Sequence, residues 1–148
     1  MIRAAIVLAC AVTCSACGLT AQQAARHTLA VTATAVHATD AVLAPQYEAE
    51  AARTREVVDS WAAYDAAMRP WNAAEEAERA TVEALLSAEA LVDAWGLAGE
   101  GFLRAAPCLV LAVDELFVAL EAVHLEVEPL RLAVGALSQY AGECHAAE

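Results

Sequence analysis

Hydrophobic residues recur every three or four positions along most of the chain, which is the spacing of one face of an α-helix. In residues 21–44 this face is formed by Leu29, Ala33, Val36 and Leu43. A second segment, 46–69, continues the spacing with Val57, Trp61, Tyr64 and Met68. We expect both stripes to lie in a core. Pro45 separates the segments and either ends the first helix or kinks one continuous helix.

A turn is predicted at residues 69–72, where Arg69-Pro70-Trp71-Asn72 interrupts the pattern. Asn72 is a favoured N-cap residue, so the next helix is expected over 73–95. Its apolar face consists of Val82, Leu85, Leu86, Val92 and Trp95. A loop is expected after it, at Gly96, Gly99 and Gly101. The helices before and after the turn are each about 35 Å long at 1.5 Å per residue. This match predicts an antiparallel hairpin.

A third helix is predicted over 103–123. Its heptad stripe is Leu109, Val113, Leu116, Leu120 and Val123, widened by Leu111, Phe117 and Val118. Asp114 and Glu115 would be costly in lipid, which favours a bundle helix over a membrane span. Pro129 then leaves two alternatives: one long kinked helix, or a turn at 124–128 followed by a fourth helix over 129–141, capped by Gly142. Because a proline inside a helix costs about 3 kcal/mol, we expect the turn.

The start of the chain has the pattern of an export signal. A short positive region with Arg3 precedes an apolar stretch over 4–12 that is too short to span a bilayer. Small residues then lead to a cysteine in the run Cys14-Ser15-Ala16-Cys17-Gly18. This run resembles the lipobox of bacterial lipoproteins, with Cys14 standing where that class usually has leucine.

The resemblance covers residues 1–18 and implies a lipid anchor. It implies that 1–16 is a cleaved signal peptide and that Cys17 is acylated. Separately, Thr20-Ala21-Gln22-Gln23 has the pattern of a helix cap, so we expect 17–20 to be a short tether and 21–148 a single helical domain. Gly18 after the cysteine, rather than aspartate, implies the outer membrane facing the periplasm. Ordinary secretion with cleavage nearby, or a cytosolic protein with a buried N-terminal helix, are the alternatives. Cys10, after Val7-Leu8-Ala9, has a better local match than Cys17 but leaves almost no apolar region before it.

Two further cysteines are placed for a disulfide. If the chain folds back near residue 126, Cys108 and Cys144 each lie eighteen residues from the bend. Antiparallel helices of equal rise bring such positions to one level, whereas a straight helix would separate them by about 54 Å. An exported protein enters a compartment where disulfides form. We therefore predict a Cys108–Cys144 bridge, with two free buried thiols as the alternative.

Composition and charge support a helical fold and exclude one class of partner. About 40 of the 148 residues are alanine, and glycine and proline together number only ten. Alanine is the best helix former, so we expect an all-α antiparallel bundle of four helices in two hairpins after the leader. The chain has twenty acidic residues, eight arginines and no lysine, which gives a net charge of −12. This charge repels phosphate backbones, so nucleic-acid binding is not expected.

Chemical motifs are sparse. A di-iron bundle uses two Glu-x-x-His pairs, and only Glu121 with His124 has this spacing. The sequence lacks a haem-attachment motif, a nucleophile elbow and a phosphate loop. We therefore expect no enzyme activity, metal or cofactor.

Binding is the remaining class of function. Trp71, in the predicted turn, and Trp95, beside the predicted loop, are the candidate contact residues. The expected function is a membrane-anchored scaffold, adaptor or inhibitor that binds an envelope protein. The alternatives are a periplasmic bundle that binds a metal or small ligand, and a phage-encoded envelope lipoprotein that acts in lysis or exclusion.

Overall fold

The computed structural model describes residues 21–94 and 100–140 together with Gly142 and Cys144. Four α-helices follow one another: α1, Ala21–Val57; α2, Trp61–Ala94; α3, Glu100–Ala122; and α4, Glu128–Leu137. A short 3-10 turn, Ser138–Tyr140, follows α4. The described residues contain no strand. The predicted all-α bundle of four helices is confirmed.

The first hairpin turns at a different place from the one predicted. The break predicted at 69–72 is wrong, because α2 runs through Pro70 as α1 runs through Pro45. Both prolines are exposed, so water can solvate the carbonyl groups that lose their helical partners. The chain instead turns at 58–60. Ser60 caps the start of α2, because the Ala63 amide donates to Ser60 Oγ at 3.2 Å.

The two stripes of the first hairpin have different outcomes. Leu29, Val36 and Leu43 are buried on α1, as predicted. The prediction that the stripe of 46–69 forms one continuous core face is wrong, because the turn separates the residues of this stripe. Met68 is buried, but Val57 is 74% exposed and Trp61 is 76% exposed.

Two buried threonines on α1 form hydrogen bonds within the helix. Thr32 and Thr39 are almost fully buried. The Thr32 hydroxyl donates to the Thr28 carbonyl oxygen at 2.9 Å, and the Thr39 hydroxyl donates to the Ala35 carbonyl oxygen at 3.0 Å. Each buried hydroxyl is therefore satisfied, so it does not carry the cost of an unpaired polar group.

Helix α3 supplies the centre of the core. Its predicted stripe, from Leu109 to Val123, is buried along its length. The widening was wrong in part, because Leu111 is 48% exposed and Val118 is 64% exposed. The helix begins at Glu100, so Gly101 lies inside it and not in the preceding loop. Among the described helices, none combines the length and apolarity needed to cross a membrane.

The second hairpin turns where the sequence predicts, before Pro129. The Leu125 amide donates to the Leu120 carbonyl oxygen at 2.9 Å, and the His124 amide donates to the Glu121 carbonyl oxygen at 3.0 Å. His124 has φ 58°, so this is a Schellman motif with His124 in the left-handed position. The alternative of one long helix is excluded. Helix α4 ends at Leu137 rather than 141, so Gly142 does not cap it.

Candidate binding surface

The first hairpin is longer than the layer that covers it. Helix α1 has 37 residues, about 55 Å at 1.5 Å per residue, whereas α3 has 23, about 35 Å. The hydroxyl of Thr81 on α2 lies 2.9 Å from the Ala112 carbonyl oxygen on α3, which fixes the level at which these helices pair. Within the described chain, the main core cluster has no member in residues 44–70. We call this segment, 44–70, the projecting end.

The tip of the projecting end carries the two most exposed large apolar side chains of the described chain, Val57 and Trp61. The Trp61 ring meets the Tyr64 ring edge-on, with centroids 5.8 Å apart. The guanidinium carbon of Arg55 lies 5.5 Å from the Tyr64 centroid, within range of a cation–π contact. A shallow depression of about 190 Å³ is lined by these aromatic residues together with Arg55, Val58, Asp59 and Ser60.

Groups of both charges surround this apolar tip. Arg55 and Asp59 both line the depression. Tryptophan, tyrosine and arginine are enriched among the residues that dominate protein–protein contacts, and the rim of such contacts is polar. The tip is therefore the candidate binding surface.

A polar contact links the two helices where the projecting end leaves the bundle. The Tyr47 hydroxyl donates to Asn72 Oδ1 at 2.9 Å. Burial and the nearby Glu75 carboxylate raise the pKa of Tyr47, so the phenol keeps its proton near neutral pH. Burial, followed by the Asp40 and Glu75 carboxylates, also raises the pKa of Glu78. The acidic surface of the first hairpin thus places like charges close together.

Of the two predicted contact residues, Trp71 and Trp95, the structure describes only Trp71. Trp71 lies inside α2 and is half-buried against the core, so its predicted exposure in a turn is wrong. Its role in partner contact stays a prediction. Trp95 and Cys17 lie outside the described residues.

Sequence reasoning missed Trp61 because its spacing fits the stripe of Val57 and Tyr64. The signal that identifies it is the preceding Asp59-Ser60 pair, since serine is a favoured N-cap residue.

Cys108 and Cys144 form a disulfide with Cα atoms 4.6 Å apart, which agrees with the predicted pairing. The path to it is less helical than predicted, because α4 ends four residues before the predicted end at 141. A 3-10 turn, Ser138–Tyr140, follows α4.

Possible metal ligands are dispersed over the described chain. No three histidine, cysteine or acidic side chains of the described residues come together as a metal site would require. His124, which shares the Glu-x-x-His spacing with Glu121, lies in the turn before α4.

Comparison with known proteins found no relative of this chain. No protein-family model, curated protein or solved structure matches this chain.

Proposed function

We propose that this chain is a bacterial lipoprotein, held in the cell envelope by acylated Cys17, that acts without catalysis as a scaffold, adaptor or inhibitor of an envelope protein. The run that ends at Cys17 supports the anchor. The Cys108–Cys144 bridge supports export, because disulfides persist in oxidising compartments and are rare in the cytosol. The resemblance at Gly18 supports the outer membrane, facing the periplasm.

The observation that carries the binding role is the exposure of Trp61 at the tip of the projecting end. Exposed tryptophans often provide much of the binding free energy of a protein contact when a partner desolvates them. Helix α1 begins at Ala21, four residues after Cys17. Its 37 residues place the tip about 55 Å along the helix from the anchored end. Trp61 therefore lies beyond the end of α1 that is opposite to the proposed lipid anchor.

The geometry also limits what the partner can be. The exposed apolar surface of two side chains is a few hundred Å², whereas a stable interface buries about 800 Å² on each partner. Two tips placed end to end would therefore be too small for a stable dimer. A different protein with an apolar pocket for the indole, and with walls that contact both helices of the projecting end, would bury enough surface.

Site-specific photocrosslinking tests this function in cells that make the full chain. A photoreactive phenylalanine at position 61 is compared with one at position 86, where Leu86 is also exposed but lies away from the tip. We expect one discrete protein adduct from position 61 and none of the same mass from position 86. The purified partner should then bind the Trp61→Ala chain at least about tenfold more weakly than the parent, and the Leu86→Ala chain equally well.

Three results would contradict the proposed binding role. Adducts of equal mass and yield at both positions would mean that the contact is not specific to the tip. Adducts only with a second copy of the chain would identify a self-association surface. Adducts only with lipid would identify a membrane contact instead of a protein partner.

A further inference from the structure

Helices α1 and α2 keep one register from the bundle into the projecting end. At the start of α1 the Arg26 guanidinium lies 2.8 Å from the Asp93 carboxylate, and farther along the Tyr47 hydroxyl donates to Asn72 Oδ1 at 2.9 Å. Twenty-one residues separate these two contacts on each helix. Because both helices rise 1.5 Å per residue, facing positions can be assigned along the whole hairpin.

A proline interrupts each helix of the hairpin at nearly the same level. Pro45 lies two residues before Tyr47 on α1, and Pro70 lies two residues before Asn72 on α2. The helices are antiparallel, so Pro45 is about 3 Å from the level of the Tyr47–Asn72 hydrogen bond on the bundle side, and Pro70 is about 3 Å from it on the tip side. The hydrogen bond thus lies midway between the two prolines.

Each proline removes one backbone hydrogen bond from its helix. Pro45 has no N–H to donate to the Ala41 carbonyl oxygen, and Pro70 has none for the Ala66 carbonyl oxygen. The proline ring also presses against that carbonyl group, which is why sharp bends in helices occur mostly at proline. Both prolines are exposed, so the weakened turns face water and not the core. Both helices are therefore weakened within about one turn of the same level.

The core of the bundle ends at this level. Leu43 on α1 and Ala74 on α2 are buried members of the main core cluster, which among the described residues has no member in the projecting end. Packing in this core therefore restrains the hairpin on the bundle side of the prolines and does not extend to their tip side.

The projecting end has internal packing of its own. Ala51 and Thr54 on α1 and Met68 on α2 are buried. Met68 and Ala51 lie at the same level in the register of the hairpin, four residues beyond Asn72 and Tyr47. The two helices of the projecting end are therefore held to each other and can move as one unit.

We propose that Pro45 and Pro70 form a hinge at which the projecting end bends as one unit relative to the bundle. A hinge of this kind absorbs the change in backbone angles at a few residues while the elements on both sides keep their structure. The ten residues from Tyr47 to Val57 span about 15 Å, so a bend of about 20° moves the tip by about 5 Å. The bend changes the direction in which Trp61 faces.

Distances between nitroxide labels on the full chain, measured by pulsed electron paramagnetic resonance in mild detergent, test the hinge. The labels are attached to a genetically encoded ketone amino acid, so that no cysteine is used. They replace His37, Ala62 and Glu121 two at a time, and all three residues are exposed. The pairs 37–62 and 62–121 cross the hinge. The pair 37–121 lies within the bundle and is the control.

The widths of the distance distributions give the result. In the parent, at least one pair that crosses the hinge should have a distribution at least about 1.5 times as wide as the control pair, because the tip moves. In the Pro45→Ala/Pro70→Ala chain, both of these pairs should be as narrow as the control. Pro107→Ala is the matched control variant, because Pro107 lies inside α3, away from the hinge. It should leave all three widths as they are in the parent.

Three results would overturn the hinge. Pairs that cross the hinge but are no wider than the control pair in the parent would show that the projecting end does not bend. Pairs that stay wide in the Pro45→Ala/Pro70→Ala chain would show that the prolines do not cause the motion. Equal narrowing in the Pro107→Ala chain would show that loss of any helical proline stiffens the molecule. The test uses neither the lipid anchor nor a partner, so its outcome is independent of the proposed function.

Discussion

Replacement of Leu116 by alanine tests the orientation of α3, the helix at the centre of the core. Leu116 is fully buried. Burial of a leucine side chain contributes about 1.5–3 kcal/mol, and the cavity left by its removal adds to the loss. We therefore expect Leu116→Ala to lower the free energy of unfolding by about 3 kcal/mol, within the 2–5 kcal/mol range of buried leucines.

Leu111→Ala is the matched control on the same helix. Leu111 is 48% exposed and lies five residues before Leu116, on a different side of the helix. Water can occupy the space of the missing side chain, so no closed cavity forms. Because part of its apolar surface is in water already, we expect the free energy of unfolding to fall by less than about 1 kcal/mol.

Urea unfolding of the two variants and the parent, followed by circular dichroism at 222 nm, gives both differences. All samples are kept oxidised so that the Cys108–Cys144 bridge is constant. Equal losses of stability, or a larger loss for Leu111→Ala, would refute the orientation of α3 described above. The m-values should agree among the three chains, since a changed m-value would mean that the unfolding transition itself differs.

Substitutions at three further positions test other parts of the structure. Thr81 is fully buried and its hydroxyl bonds to the Ala112 carbonyl oxygen. Thr81→Val removes the hydroxyl and should lower the free energy of unfolding in urea by about 1 kcal/mol, whereas Thr81→Ser keeps the hydroxyl and should lose only a small part of this amount. Pro70 is exposed inside α2, so Pro70→Ala should restore one helical hydrogen bond and raise the thermal midpoint; a lowered midpoint would mean that the bundle requires the proline. The pKa of Glu78 is raised by burial and by Asp40, so its ionised form destabilises the fold. The parent should therefore gain stability as the pH falls through this raised pKa toward the ordinary value of 4.5, and Glu78→Gln should be the more stable chain at pH 7 and lose this advantage near pH 4. Urea midpoints measured across this pH range check the sign, and an advantage that grows toward low pH would contradict it.

The sequence predicts the elements whose apolar spacing is uninterrupted. The stripe of α3 identifies its buried face because each step of three or four residues remains on one helix. The second hairpin was also predictable, since Pro129 disfavours a continuous helix and His124 lies in the turn. The disulfide follows from the symmetric placement of Cys108 and Cys144 about that turn.

The first hairpin was harder to predict because proline is an ambiguous signal. Pro45 and Pro70 resemble helix breaks, yet both lie on exposed faces of α1 and α2, where water can replace a lost hydrogen bond. The real turn contains neither glycine nor proline. The spacing of Val57 and Trp61 continues across this turn by coincidence, which concealed the candidate binding surface. Exposure depends on which helices cover which, and periodicity along one helix does not contain this information.

Metabolic labelling with a palmitate analogue tests the proposed anchor most directly. The parent chain, Cys17→Ser and Cys10→Ser are expressed in bacteria, and each is assayed for label and for its distribution between membrane and soluble fractions. The Cys10→Ser chain is the control for loss of a cysteine in the leader. We predict that the parent and Cys10→Ser carry label and sediment with membranes, whereas Cys17→Ser carries no label and retains its leader. If Cys17→Ser labels, matures and fractionates as the parent does, the proposed anchor is contradicted.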